Sequence, residues 1–229
     1  MDAASGRLYC VATPIGNLQD MTLRAVEVLR SVDAVACEDT RSAGRLFSHL
    51  DISRPRFISM FEHNEPGRVK QLLEMLKSGK DIAIISEAGT PTISDPGYRL
   101  VAACVEADIE VIPVPGACAA VAALSASGLP TDRFLFLGFP PRKGAKLRRY
   151  LEQALFPART SVCYLPARRL PGFLERVNEE APGTRVVVAR ELTKVYEEFI
   201  RGTARELFES ADQLTLKGEC TVLLYVPDE

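Results

Sequence analysis

Five short apolar runs in the first half of the chain each end in a cluster of turn-forming residues, and this recurrence restricts the fold more than any other feature. Leu8-Tyr9-Cys10-Val11-Ala12 leads into Thr13-Pro14-Ile15-Gly16-Asn17, and Ala34-Val35-Ala36-Cys37 into Glu38-Asp39-Thr40-Arg41. Phe57-Ile58-Ser59-Met60-Phe61 ends in Glu62-His63-Asn64-Glu65, and Val111-Ile112-Pro113-Val114 in Pro115-Gly116. The fullest example is Ile82-Ala83-Ile84-Ile85, followed by Ser86-Glu87-Ala88-Gly89-Thr90-Pro91-Thr92-Ile93-Ser94-Asp95-Pro96-Gly97. Such runs read as buried parallel strands. Between them lie helical spacings: Leu23, Val26 and Leu29 behind Asp20 or Thr22, Val69, Leu72, Leu73 and Leu76 closed by Gly79, and Leu100, Val101, Cys104 and Val105. Gly116 to Ala126 is rich enough in alanine to be a helix packed closely on a sheet. Alternation of this kind predicts an α/β fold with a mostly parallel sheet covered on both faces.

The unusual residues sit at the ends of these strands, none at their starts. Ligands of open α/β sheets collect beyond the carboxyl ends of the strands, so these five loops are the predicted binding surface. Gly89 permits close backbone approach, Pro91 and Pro96 stiffen the path, and Ser86, Thr90 and Ser94 offer hydroxyls. No GxGxxG follows the first strand and no GxxxxGK[ST] occurs anywhere, which removes support for a phosphate-cradling nucleotide site.

Near residue 128 the pattern changes. Ser127-Gly128-Leu129-Pro130-Thr131-Asp132 is turn chemistry, and a domain boundary is expected there, giving domains of residues 1–127 and 128–229. Beyond it come a strongly aromatic strand candidate, Phe134 to Phe139, a basic helical segment from Arg142 to Leu155, and strand candidates Ser161–Leu165, Arg185–Ala189, Lys194–Arg201 and Glu219–Val226. Strands this close together imply antiparallel pairs and a mixed second sheet.

Composition sets outer limits. With 47% hydrophobic and 25% charged residues, the 229-residue chain is ordinary globular material. No stretch is apolar for the roughly 18 residues that a membrane span needs, and Met1 to Arg7 lacks a signal peptide's apolar core, so a cytoplasmic location is expected. The six cysteines are scattered through apolar stretches with no CxxC pair, and there are only two histidines, so reduced core thiols and no metal are expected. A net charge of −2 argues against a generally cationic surface, yet Arg142, Lys143, Lys146, Arg148 and Arg149 concentrate five cations in one segment, with Arg168 and Arg169 on the next connection. Such a patch is either a solvated helix face or a nucleic-acid contact.

In order along the chain, Thr13-Pro14-Ile15-Gly16-Asn17-Leu18 with Asp20 and Thr22-Leu23-Arg24-Ala25, Glu38-Asp39-Thr40-Arg41, Glu62-His63-Asn64, Ala88-Gly89-Thr90-Pro91 with Ile93-Ser94-Asp95-Pro96-Gly97, Ser127-Gly128-Leu129-Pro130 and Arg190-Glu191-Leu192-Thr193-Lys194 form a series. Together they make the chain resemble the tetrapyrrole methylase superfamily, and within it the ribosomal RNA small subunit methyltransferase I branch, which methylates a cytidine 2′-hydroxyl. The resemblance implies a two-domain α/β enzyme, a homodimer, holding S-adenosylmethionine folded in the cleft between domains. It implies cofactor contacts at Pro14 and Gly16 in the first loop, Ala88, Gly89, Thr90 and Ile93 in the fourth, Cys118 and Ala119 after the fifth strand, and Leu165 and Leu192 in the second domain. The implied substrate is small-subunit ribosomal RNA, naked or in the assembled subunit, with the basic Arg142–Arg149 segment as its contact.

A ribose hydroxyl is a weak nucleophile at neutral pH, so a carboxylate or imidazole within reach is expected to take its proton. The candidates at strand ends are Glu38, Asp39, His63 and Glu87. Adjacent side chains on a strand end point opposite ways, so one of Glu38 and Asp39 is expected to face the site. Arg190, Glu191, Thr193 and Lys194 could serve either cofactor or RNA.

The chain departs from the branch pattern in three places. Glu87 stands where an aspartate is usual, Phe61 where a histidine is commoner, and Tyr164-Leu165-Pro166-Ala167-Arg168-Arg169 where the branch commonly carries Glu-Ser-Pro-His before an arginine. Two alternatives remain open at this point: a small-molecule, tetrapyrrole-like methylase with the same cofactor apparatus, and a non-catalytic RNA-binding or cofactor-sensing protein.

Overall fold

The computed structural model describes residues 5–228, which divide into two compact units, one ending at Cys118 and one beginning at Ala119. In the first, strands β1 (Leu8–Val11), β2 (Ala34–Cys37), β3 (Arg56–Ser59), β4 (Ile82–Ile84) and β5 (Val111–Val114) form one parallel sheet in the order β3-β2-β4-β1-β5. Side-chain alternation splits its faces. Tyr9, Val11, Val35, Cys37 and Ala83 pack against helices α1 (Leu23–Ser31) and α2 (Thr40–His49). Leu8, Ala34, Ala36, Ile58, Ile82 and Ile84 pack against α3 (Glu65–Lys77) and α4 (Tyr98–Glu106). With both faces covered, strands of unbroken apolar character are what burial requires.

Local chemistry sets the helix ends. Thr22 caps α1 by accepting from the Ala25 N–H, and Asp39 caps α2 by accepting from the Arg41 N–H. The sequence pattern did not single out α2, because Ser42, Gly44 and Ser48 are weak helix formers. Burial of Ala43 and Phe47, four residues apart, holds it on the sheet.

The second unit opens with α5 (Ala119–Ser125). Its strands β6 (Phe134–Phe136), β7 (Thr160–Pro166), β8 (Arg185–Arg190), β9 (Glu198–Thr203) and β10 (Glu219–Tyr225) form a mixed sheet in the order β6-β7-β10-β8-β9. Only β6 with β7 is parallel. Cys163, Leu165, Val186, Val188, Cys220, Val222 and Leu224 form one apolar face, covered by helices α6 (Gly144–Ala154), α7 (Leu170–Glu180) and α8 (Ala204–Glu209). Helix α5 lies against β7 and β10, and the Ala120 N–H donates to the hydroxyl of Tyr164, whose position in β7 is of opposite parity to Cys163 and Leu165. It therefore covers the other face. The helix predicted over Gly116–Ala126 is present, but it belongs to the second core, so the units part nine residues before the turn chemistry at 127/128.

Strand β9 starts at Glu198 rather than Lys194. The Arg190 guanidinium donates to the carbonyls of Lys217 (3.0 Å) and Tyr196 (3.2 Å) and pairs with Glu198, gathering residues 191–197 into turns in which Glu191 and Thr193 have positive φ. The aromatic strand is also shorter than its sequence pattern, ending at Phe136 shortly before Gly138, which has a φ of 61°. No helix among the described residues is long and apolar enough to cross a membrane.

Candidate active site

The order β3-β2-β4-β1-β5 sends β2 leftward to β3 through α2 and β4 rightward to β5 through α4, on opposite faces of the sheet. Connections that diverge from neighbouring strands leave a crevice beyond their carboxyl ends. Glu38 follows β2, whereas Glu87 and Asp95 lie on the connection after β4. The three carboxylates influence one another. Burial pushes Glu38 up to about 7, with the charges of Asp95 and Glu87 adding to the shift. Burial likewise raises Asp95 to about 6, helped by Glu87 and opposed by a hydrogen bond with Ser86.

The neighbouring carboxylate has a different fate. Asp39 accepts from the Arg41 N–H at 2.7 Å and pairs with the Arg41 guanidinium at 3.1 Å, which holds it below its ordinary value. It serves as the cap of α2, and Glu38 is the member of the pair that meets Asp95 and Glu87. His63 sits exposed in the turn after β3. That turn is built by Asn64, whose carbonyl oxygen accepts from the Phe61 N–H at 2.8 Å and whose amide donates to the Ser59 carbonyl at 3.1 Å.

The loops at the tips of β1, β4 and β5 are tied together by backbone and hydroxyl hydrogen bonds. Thr13 and Gly89 exchange two hydrogen bonds (2.9 and 3.0 Å), forming an isolated antiparallel bridge just past the parallel strands. The Ser86 hydroxyl donates to the Gly89 carbonyl (3.0 Å), and the Thr90 hydroxyl donates to the Ala117 carbonyl (3.0 Å). Gly89 has a φ of 84°, and a Cβ there would lie 3.2 Å from Ile15 Cγ2. Further along, Thr92 and Ser94 also adopt positive φ, a costly backbone that persists where surrounding bonds fix it. Gly97 closes the loop by donating its N–H to the carboxylate of the buried Glu65 at 3.0 Å.

Within this frame Pro14 and Gly89 are buried, Thr90 is half-buried, and Gly16, Ala88 and Ile93 are exposed. Cys118 and Ala119 are half-buried after β5. Leu165 lies in β7 with its side chain in the core under the helices and its backbone paired with Cys220 of β10, and Leu192 sits half-buried in the turn after β8. Two residues join the site that were not among the candidates, Asp95 and Glu65. An aspartate in the Ser-Asp-Pro-Gly turn and a glutamate at the first position of α3 were visible, but only the fold brings them to one loop.

In the second unit, Leu147, Tyr150, Leu151 and Ala154 form the buried face of α6, leaving its cations outward. The first turn of α6 has no side-chain cap and no acidic residue. All six cysteines are free, and no group of three or more His, Cys, Asp or Glu residues among the described residues is placed to hold a metal.

Comparison with known proteins places this architecture. Residues 7–207 match the family model of the Tetrapyrrole (Corrin/Porphyrin) Methylases. The chain is 50% identical over 220 residues to a ribosomal RNA small subunit methyltransferase I of Synechocystis sp., covering 95% of this chain and 78% of that protein. It is 40% identical over 219 residues to the protein of that name from Hydrogenobaculum sp., covering 95% of each. Among solved structures, uroporphyrin-III-C-methyltransferase from Thermus thermophilus superposes with a TM-score of 0.67 at 22% identity, over 96% of this chain and 94% of that one. A form of the Thermus enzyme complexed with S-adenyl homocysteine superposes with a TM-score of 0.63 at 18% identity, over 96% and 97%. These last two likenesses speak for the fold. The extended identity to its relatives, together with the family match across both units, means that the chain belongs to the tetrapyrrole methylase family and, within it, to the ribosomal RNA small subunit methyltransferase I family.

Proposed function

We propose that the chain methylates the 2′-hydroxyl of a cytidine in small-subunit ribosomal RNA, with S-adenosylmethionine as donor and Glu38 as the general base. The observation that carries the reading is the placement of Glu38 just beyond β2 beside the loop after β4 that holds Glu87 and Asp95, where burial, with those two charges, pushes its carboxyl up to about 7. A base poised near the working pH combines a useful ionised fraction with a real appetite for the proton. Asp39, His63 and Glu87 remain the other candidates for that role, with Asp39 disfavoured by its engagement with Arg41.

The loops fit the donor. Ala88, Gly89 and Thr90 present backbone and small side chains beside Pro14 and Gly16, which suits a ligand gripped by packing and main-chain groups. The donor is cationic at its sulfonium, and the carboxylates of Glu38, Glu87 and Asp95 favour a positive charge nearby. When bound, S-adenosylmethionine supplies an electrophilic methyl group. The residues of the chain would orient the donor toward the ribose hydroxyl, Glu38 would accept the hydroxyl proton, and the demethylated thioether of the donor would be the leaving group. Alignment of this kind is worth up to roughly 7–11 kcal/mol in well-oriented models. Cys118, Ala119, Ile93, Leu165 and Leu192 complete the cofactor contacts, and Arg142, Lys143, Lys146, Arg148 and Arg149 meet the RNA. The working state is a homodimer, and the place of work is the cytoplasm, where ribosomal subunits are assembled.

The test is incubation of the protein with unmodified small ribosomal subunits, or their naked RNA, and methyl-labelled donor, followed by nucleoside analysis. Label in 2′-O-methylcytidine is the expected result. Label confined to bases, or transfer to a tetrapyrrole with none to RNA, overturns the reading. Sedimentation of the purified protein reads its oligomeric state.

A further inference from the structure

The basic segment of the second unit does not stand alone, because α6 forms one wall of a groove of about 730 Å³ whose other wall is the Arg168–Arg169 turn and α7. Arg142, Lys143 and Arg148 line it from the α6 side, while Lys146 and Arg149 do not. Arg168, Arg169 and Arg176 line the opposite side. Three carboxylates, Glu175, Glu179 and Glu180, share that second wall, so six cations face three anions in a chain whose net charge is −2.

The cations do different things. Arg169 donates to the carbonyls of Pro140 (2.9 Å) and Pro141 (2.8 Å), which fixes the approach to the groove, and Arg176 pairs with Glu179 at 2.6 Å. Arg142, Lys143, Arg148 and Arg168 make no hydrogen bond or ion pair among the described residues. Four unpaired cations against two carboxylates, Glu175 and Glu180, likewise unpaired among the described residues, leave the groove net positive, which favours an incoming anion. The concavity is several times larger than one phosphate needs, and its cations come from both walls. A chain of phosphates meets that arrangement better than a single anion.

We propose that this groove seats the sugar–phosphate backbone of the RNA substrate, with Arg142, Lys143, Arg148 and Arg168 as its phosphate contacts. The inference rests on the ribosomal RNA reading and adds a second wall to the contact surface. Contacts to phosphate position a substrate without reading its bases, so their loss weakens binding evenly across RNA sequences.

The experiment measures binding of a labelled small-subunit rRNA fragment across a salt series for the wild type, the Arg148→Glu/Arg168→Glu double variant, the neutralised Arg148→Gln/Arg168→Gln pair, and Arg205→Glu, an exposed cation of α8 outside the groove. Both groove variants are expected to bind at least roughly tenfold more weakly, with a salt slope shallower by about two. Their KM for RNA should rise while kcat at saturating RNA and the affinity for S-adenosylmethionine stay as in the wild type. Arg205→Glu should bind like the wild type. Wild-type RNA affinity and salt slope in both groove variants, alongside normal methylation by the unaltered protein, overturns the groove and leaves the rRNA reading intact. Absence of any methyl transfer to RNA by the unaltered protein overturns that reading, and the groove with it. A groove that binds anionic phospholipid vesicles and no RNA is likewise refuted as an RNA seat.

Discussion

Glu38 and Asp39 are adjacent carboxylates at one strand end, yet their protons behave in opposite ways. Asp39 is held ionised by Arg41, whereas burial, helped by the charges of Asp95 and Glu87, pushes Glu38 up to about 7, so that it changes charge near neutral pH. For Glu38 the folded value of about 7 lies above the ordinary value of 4.5, so its contribution to stability is present in full below the unfolded value and is lost as pH rises through about 7. With Glu38 as the proposed base, activity runs the other way, because the base must be ionised. The pH profile of kcat/KM should therefore rise through a limb near 7, and Glu38→Gln should abolish that limb and lower kcat by roughly 10²–10⁴ while removing the stability loss above neutrality. Retention of the limb in Glu38→Gln would move the base to another group. The sequence showed that one of the two carboxylates should face the site; it could not show which, because the choice depends on Asp39 entering α2 as its cap.

At the scale of the element, the loop from Ser86 to Gly97 is rigid because its neighbours hold it, and each tie can be cut singly. Gly97 has a φ of 122°, and a Cβ there would lie 2.3 Å from the buried Ile84 Cδ1. Gly97→Ala should cost more than about 1 kcal/mol, read as a lower urea midpoint with unchanged slope. Thr90→Val deletes the donor to the Ala117 carbonyl and keeps the shape of the side chain. A hydrogen bond of this kind contributes about 0.5–1.5 kcal/mol, so donor affinity measured by calorimetry should fall roughly two- to tenfold. The strands and the loops were legible because apolar runs and turn residues are local signals. Helices α2, α7 and α8 were not singled out, and the start of β9 was placed four residues early. Both misses have the same origin: Phe47 becomes a core residue only against a sheet, and Arg190 reaches carbonyls at Tyr196 and Lys217 that no local pattern connects to it.

Across the whole molecule, the division into two cores follows burial rather than punctuation. Ala120, Ala123 and Leu124 bury α5 with the second sheet, so the turn at Ser127–Asp132 ends a helix already committed to the second unit. Two cores permit two unfolding transitions, and a ligand raises only the transition of a unit it contacts. S-Adenosylmethionine at about 100 times its dissociation constant stabilises by about 2.7 kcal/mol, and for a unit of this size that is roughly 10 °C in calorimetry. The first unit's transition should move by that amount because Gly89, Thr90 and Pro14 belong to it. If Leu165 and Leu192 also touch the donor, the second unit's transition should rise as well, and Leu192→Ala should diminish its rise while sparing the shift of the first. A shift confined to the first unit would strike both leucines from the cofactor contacts and leave the loops after β1, β4 and β5 to bind the donor by themselves.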